Sequence, residues 1–119
     1  MEKIGIIGLG FVGGAIFKSF NLKAINVEAY DKYKNGGIGK LENMLNKDIL
    51  FLCLPTIFDE KKNSYNKDPI YETCDFLKKN DYKGLIVIKS TVEPETTKNL
   101  CIRYNLKFIH NPEFLSAAT

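Results

Sequence analysis

Three glycines, Gly8, Gly10 and Gly13, stand in the stretch IIGLGFVGGA, directly behind an apolar run. Glycines at this G-x-G-x-x-G spacing suit the approach of a phosphate. The first permits a tight turn and the second lets the backbone reach a pyrophosphate with no Cβ in the way. The third lets a helix pack closely against a strand. A helix opening there also offers unpaired N–H groups to an anion. A carboxylate, Asp31, follows 18 residues beyond Gly13. At the end of a second strand it accepts hydrogen bonds from an adenosine ribose 2′-hydroxyl and repels a 2′-phosphate, which favours NAD over NADP as cofactor. Lys32 and Lys34 soften that preference, because a basic group tolerates the extra phosphate.

The other reactive side chains carry weaker signals. Cys53, Cys74 and Cys101 are odd in number and have no C-x-x-C spacing, which argues against a disulfide framework and against a zinc site. Cys53 lies in a hydrophobic strand and reads as core packing, while Cys74 and Cys101 lie on helices with no basic neighbour to activate a thiolate. The single histidine, His110, has no carboxylate beside it in sequence to orient it as a base and reads as structural. Lys89 is expected to snorkel from the end of a strand, and Ser90 or Thr91 could cap the helix that follows.

These residues need elements to position them. KIGIIG reads as a buried parallel strand and FVGGAIFKSF as the helix behind the glycines. INVEAYD is a second strand ending on Asp31, followed by an Asn-Gly-Gly loop and a short helix in KLENMLNK. DILFLCLP is the third strand, and residues 56–67 read as a polar loop. Asp68 and Pro69 start a helix with a capping carboxylate and a proline at its first position. LIVIK, EPETTKNLCIRY and LKFIH supply a fourth strand, a helix and a fifth strand. The alternation predicts an α/β fold, a Rossmann-like doubly wound parallel sheet of strand order 3-2-1-4-5 in three αβα layers. Ligands of such sheets bind at the carboxyl ends of the strands, at the switch point beside strand one.

Bulk composition narrows the classes. The 119 residues suit a single domain, 1–119, with 45% hydrophobic and 26% charged residues. The net charge of +3 comes from scattered lysines rather than a dense basic run, so no nucleic-acid partner is expected. No signal peptide is evident, and the longest apolar run, ILFLCL, is too short to span a bilayer. The expectation is a cytoplasmic protein without a membrane partner.

Four motifs in order give the chain a family likeness. GLGFVG, FLCLPT, IKSTVEPETT and, most specifically, NPEFL at 111–115 resemble segments in the N-terminal domain of the UDP-glucose/GDP-mannose dehydrogenase family. The resemblance implies an NAD-binding domain of an enzyme that oxidises the 6-hydroxymethyl group of a nucleotide sugar to a carboxylate. It implies that Thr91 and Glu113 hold the hydrolytic water and handle protons. Phe11 and Val12 then lie along the pyrophosphate, and Pro55, Thr56 and Ser90 join Gly8, Gly10, Gly13 and Asp31 on the cofactor side. Two departures stand out. Ala117 occupies the place of the family's second glutamate, and the G-G-S-C motif that carries the family's aldehyde-trapping cysteine is missing from this sequence. The substrate domain is therefore expected to be absent. The expected partners are a nucleotide sugar such as UDP-glucose in the complete enzyme, and either a second copy in a homodimer or a missing C-terminal half. The alternatives are a stand-alone NAD-binding or sensing module without catalysis, or a fragment of a hydroxyisobutyrate or 6-phosphogluconate type dehydrogenase. The NPEFL stretch argues against that fragment.

Overall fold

Ile6 and Ile7 point to opposite faces of one strand and both are fully buried, so the sheet that holds them is covered on both sides. The computed structural model describes residues 2–111. In chain order, β1 (Ile4–Ile7) leads into α1 (Phe11–Leu22) and β2 (Val27–Tyr30), and two 3-10 turns then precede β3 (Ile49–Leu52). A small hairpin, β4 (Phe58–Asp59) and β5 (Ser64–Tyr65), precedes α2 (Asp68–Lys79). The chain continues through β6 (Leu85–Ile88), α3 (Thr96–Tyr104) and β7 (Lys107–His110).

Five strands form one parallel sheet in the order β2-β1-β3-β6-β7. Ile16, Phe17 and Phe20 of α1 pack with Ile6 and Ala29 on one face. Ile70, Leu77 and Leu100 of α2 and α3 pack with Ile7, Leu52 and Ile88 on the other. Each fully buried aliphatic side chain contributes about 1.5–3 kcal/mol. The expected three layers are therefore present.

The strand order differs from the expected 3-2-1-4-5. Counting only the sheet strands, it is 2-1-3-4-5, with β3 inserted between β1 and β6 and β2 left at the edge. The physical reason lies in the strands themselves. Leu50 and Leu52 are fully buried and need neighbours on both sides. β2 carries Glu28, which reaches the surface and pairs with Lys47 at 2.8 Å, a contact that only an edge strand leaves open. The reversal of winding still falls at β1, now between β1 and β3.

Four local expectations also change. The polar loop at 56–67 contains the β4–β5 hairpin, closed by an edge-to-face contact of Phe58 and Tyr65. The short helix in KLENMLNK is a 3-10 turn, Leu41–Met44. Asp68 is the first residue of α2 rather than its cap. Its own N–H donates to Asn66 Oδ1 at 3.1 Å, and its charge lies in the first turn, where the helix dipole favours it. Ser90 and Thr91 cap nothing, because α3 begins at Thr96. Glu93 precedes Pro94, and a residue before proline is pushed out of the helical region, which delays the start.

Candidate functional site

The carboxyl ends of β1, β3 and β6 converge on a cleft of about 1170 Å3 at the switch point. Gly8 turns the chain out of β1 with φ +100°, a conformation that glycine adopts without strain, and its Cα faces the Cys53 carbonyl so closely that a Cβ would sit 2.5 Å from the oxygen. Gly13 lies against the same turn, and a Cβ there would run into the Gly8 carbonyl oxygen. Gly10 is different. It precedes α1 with φ −69°, and a Cβ on it would meet nothing within 4 Å. No side chain caps α1, so its first N–H groups are open towards the cleft that Gly10, Phe11 and Val12 line.

Asp31 occupies one end of this cleft, just past β2. Its Oδ2 accepts the Leu9 N–H at 2.6 Å, and its Oδ1 accepts the Tyr33 and Lys34 N–H groups, both at 2.9 Å. Burial alone would raise its carboxyl pKa. The three backbone donors and the nearby Lys34 ammonium outweigh that and hold it below the usual carboxylate range. Lys34 in turn donates to the Leu9 carbonyl at 2.9 Å. Asp31 thus ties the glycine turn to the loop after β2, and a carboxylate's lone pairs leave room for one further donor.

The opposite wall comes from the loops after β3 and β6. Pro55, Thr56, Ser90 and Thr91 all line it. The Thr56 hydroxyl donates to the Thr91 carbonyl at 2.5 Å, and the Ser90 hydroxyl donates to the Leu54 carbonyl at 2.8 Å. With their protons committed, these hydroxyls can offer a ligand only lone pairs. The structure therefore brings together Gly8, Gly10, Phe11, Val12, Asp31, Pro55, Thr56, Ser90 and Thr91, with Gly13 packed behind them. Glu113 and Ala117 lie outside the described residues.

Several lining residues were not evident from sequence. Leu9, Tyr33 and Leu54 are neighbours of motif residues, and their place follows from the turn geometry. Cys53 packs with the α1-side core as expected, but it also lines the cleft. Lys89 does not snorkel. It is 8% exposed and lines the cleft beside Ser90. Cys74 is buried, and desolvation, reinforced by the charge of Asp75, pushes its thiol up to about 12, which leaves it inert. His110 closes β7 and does not line the cleft. Among the described residues no group of His, Cys, Asp and Glu side chains could hold a metal ion, and no helix is long and apolar enough to cross a membrane.

Glu93, just beyond the cleft wall, had no sequence signal because its partners are 26 and 28 residues away. The Lys67 ammonium donates to its Oε1 at 2.8 Å and the Tyr65 N–H to its Oε2 at 3.1 Å. The Lys67 bond, working against burial, holds the Glu93 carboxyl at about 2, below its ordinary 4.5. A depressed folded pKa means stability that is complete above pH 4.5 and lost as the pH falls towards 2. Glu93→Gln should therefore cost about 1–2 kcal/mol at neutral pH, since the pair is three-quarters buried but still screened. Urea unfolding at several pH values should show that difference closing as the pH approaches 2.

A parallel sheet wound in both directions, with a glycine turn at its switch point and a carboxylate at the tip of β2, defines a Rossmann-like α/β domain. Among solved structures, the chain is similar to a UDP-glucose dehydrogenase from the archaeon Pyrobaculum islandicum, with a TM-score of 0.77 and 23% identity over 98% of this chain and 37% of that one. It is similar to the GDP-mannose dehydrogenase of Pseudomonas aeruginosa, with a TM-score of 0.74 and 18% identity over 95% of this chain and 36% of that one. A variant of the imine reductase from Myxococcus stipitatus, in complex with NAD+, matches with a TM-score of 0.60 and 14% identity over 92% of this chain and 39% of that one. The chain thus matches the N-terminal region of the nucleotide-sugar dehydrogenases in fold, and it spans well under half the length of these structures. No protein-family model and no curated protein matches it.

Proposed function

We propose that the chain is the NAD-binding part of a nucleotide-sugar 6-dehydrogenase of the UDP-glucose/GDP-mannose type. The observation that carries this reading is the uncapped N-terminus of α1, opening through the bare Gly10 into a cleft bounded at one end by Asp31. The pyrophosphate takes the helix N–H groups, the adenosine ribose takes the remaining lone pair of Asp31, and the nicotinamide extends towards Thr56 and Thr91. When bound, NAD supplies the hydride acceptor. The chain's own contribution is to fix the dinucleotide's position across the sheet edge. The choice of a nucleotide sugar rests on the GLGFVG, FLCLPT, KSTV and NPEFL segments, and the first three flank the cleft.

Calorimetric titration with NAD+, NADP+ and UDP-glucose tests this. NAD+ should bind more tightly than NADP+. Asp31→Ala should weaken NAD+ more than NADP+ by about 1 kcal/mol, because a charge-assisted bond is lost and a like-charge repulsion is relieved. Both dinucleotides should also weaken in common, since the same carboxylate holds three backbone N–H groups. An unchanged NAD+/NADP+ ratio in the variant would refute the assignment of Asp31. The 119-residue chain should form no NADH from UDP-glucose.

A further inference from the structure

Lys89 is a buried cation in the cleft wall, and the proposed function gives it no task. It follows β6 directly. Its N–H donates to Leu52 O at 2.8 Å, which continues the β3–β6 ladder and sets Lys89 beside Cys53. Side chains alternate along a strand, so Lys89 shares its side of the sheet with Val87, away from Ile86 and Ile88 in the α2–α3 core. It lines the cleft next to Ser90 and Thr91. A lysine is seldom buried so deeply, because its ammonium is costly to take out of water. Among the described residues that line the cleft, the cations are Lys34 and Lys89. Lys34 stands at the Asp31 end, where it donates to the Leu9 carbonyl at 2.9 Å. Lys89 belongs to the opposite wall.

We infer that Lys89 sets which redox state of the dinucleotide the cleft holds more tightly, and that it favours the reduced one. This preference presupposes the dinucleotide site proposed above, whose nicotinamide end lies towards Thr56 and Thr91. The two redox states share the adenosine, both riboses and the pyrophosphate. They differ at the nicotinamide ring, which carries a positive charge when oxidised and none when reduced. Asp31 and the α1 N-terminus act on the shared parts and do not tell the two apart. A cation in the wall at the ring's end does, because it repels the oxidised ring and is indifferent to the reduced one. Its attraction for the pyrophosphate is common to both and cancels from their ratio. With an effective dielectric constant of about 20, two unit charges within about 10 Å change a binding ratio by roughly tenfold. Salt screens so buried a charge far less than it screens a surface lysine. Hydride transfer to a ring held here is therefore favoured, since the charge that Lys89 opposes disappears as the hydride arrives.

The test is titration of the chain with NAD+ and with NADH, both by calorimetry, with circular dichroism to check the fold of each variant. The wild type should bind NADH about tenfold more tightly than NAD+. Lys89→Met keeps the length of the stem and removes the charge, and it should bring the two within about threefold, chiefly by tightening NAD+. Lys89→Gln, with a polar end in the same place, should give the same loss and serves where the apolar end impairs folding. Lys89→Arg should keep the preference. Lys34→Met, at the other end of the cleft, should weaken both dinucleotides alike. A purely structural role for Lys89 would also weaken both alike and leave their ratio unmoved. Equal binding of the two by the wild type, or a ratio that survives the neutral variants, overturns this inference and leaves the dinucleotide site standing. A ratio lost equally in Lys34→Met, or lost in Lys89→Arg, assigns it to the general field or to shape and likewise overturns it. Failure of the wild type to bind either dinucleotide overturns the site and the preference together.

Discussion

Replacing Gly10 with Val should abolish measurable NAD+ binding while leaving the protein folded. The backbone at Gly10 has φ −69° and ψ −155°, an extended conformation that any L-residue adopts, and a Cβ there meets nothing within 4 Å. The variant's cost in stability should therefore stay within about 0.5 kcal/mol. The empty volume around that Cβ is the space in front of the α1 N-terminus that the pyrophosphate would occupy in the proposed NAD site. A branched side chain there keeps the phosphates away from the N–H groups, and the loss of those charge-assisted bonds should lower affinity by at least on the order of a hundredfold. Titration calorimetry and circular dichroism together check the outcome. Near-normal affinity with an unchanged spectrum would mean that the glycine turn serves the fold alone.

Gly13→Ala, three residues further on, should do the opposite. Here the added Cβ runs into the Gly8 carbonyl oxygen and crowds the Cys53 side chain at 3.1 Å. Neither backbone can move freely, because the Gly8 N–H is bonded to Tyr30 O at 2.8 Å and the Cys53 N–H to Ile7 O at 2.8 Å. The helix must shift away from β1 and β3, loosening the contacts of Ile16, Phe17 and Phe20 with Ile6 and Ala29. An overpacked contact between fixed backbones should cost about 3 kcal/mol, a large share of the 5–15 kcal/mol that typically holds a domain of this size. Urea denaturation should show the midpoint falling, with the slope little changed. A variant as stable as the parent would show that α1 is less tightly seated than its backbone contacts indicate.

The close packing at Gly13 and the open space at Gly10 are legible in the sequence, because each follows from its place in a strand–turn–helix unit. So is the alternation of strands and helices, carried by runs as plain as KIGIIG and ILFLCL. What failed was the assembly of those pieces. The order of strands depends on which strand tolerates an edge, and the decisive residue, Glu28, is polar in a way that a reader of local apolar runs passes over. The β4–β5 hairpin was hidden because its strands are two residues each and closed by one aromatic pair. The positions of Thr56 and Ser90 in the cleft were legible, yet their bonds to the Thr91 and Leu54 carbonyls were not, since those contacts cross between loops 35 and 36 residues apart.

Those two cross-loop bonds bear on how the cleft meets a ligand. The hydroxyls of Thr56 and Ser90 stitch the loop after β3 to the loop after β6, while Asp31 staples the glycine turn to the loop after β2. Each wall of the cleft is therefore held by a side chain from another loop, and the entropy of ordering those loops is spent when the chain folds. A dinucleotide arriving later has little left to immobilise but itself, so association should be governed by diffusion and charge rather than by a slow closing motion. The same stitching makes the cleft an all-or-none object. Loosening one seam opens the wall that the others define, and recognition then declines with the cooperativity of unfolding rather than contact by contact.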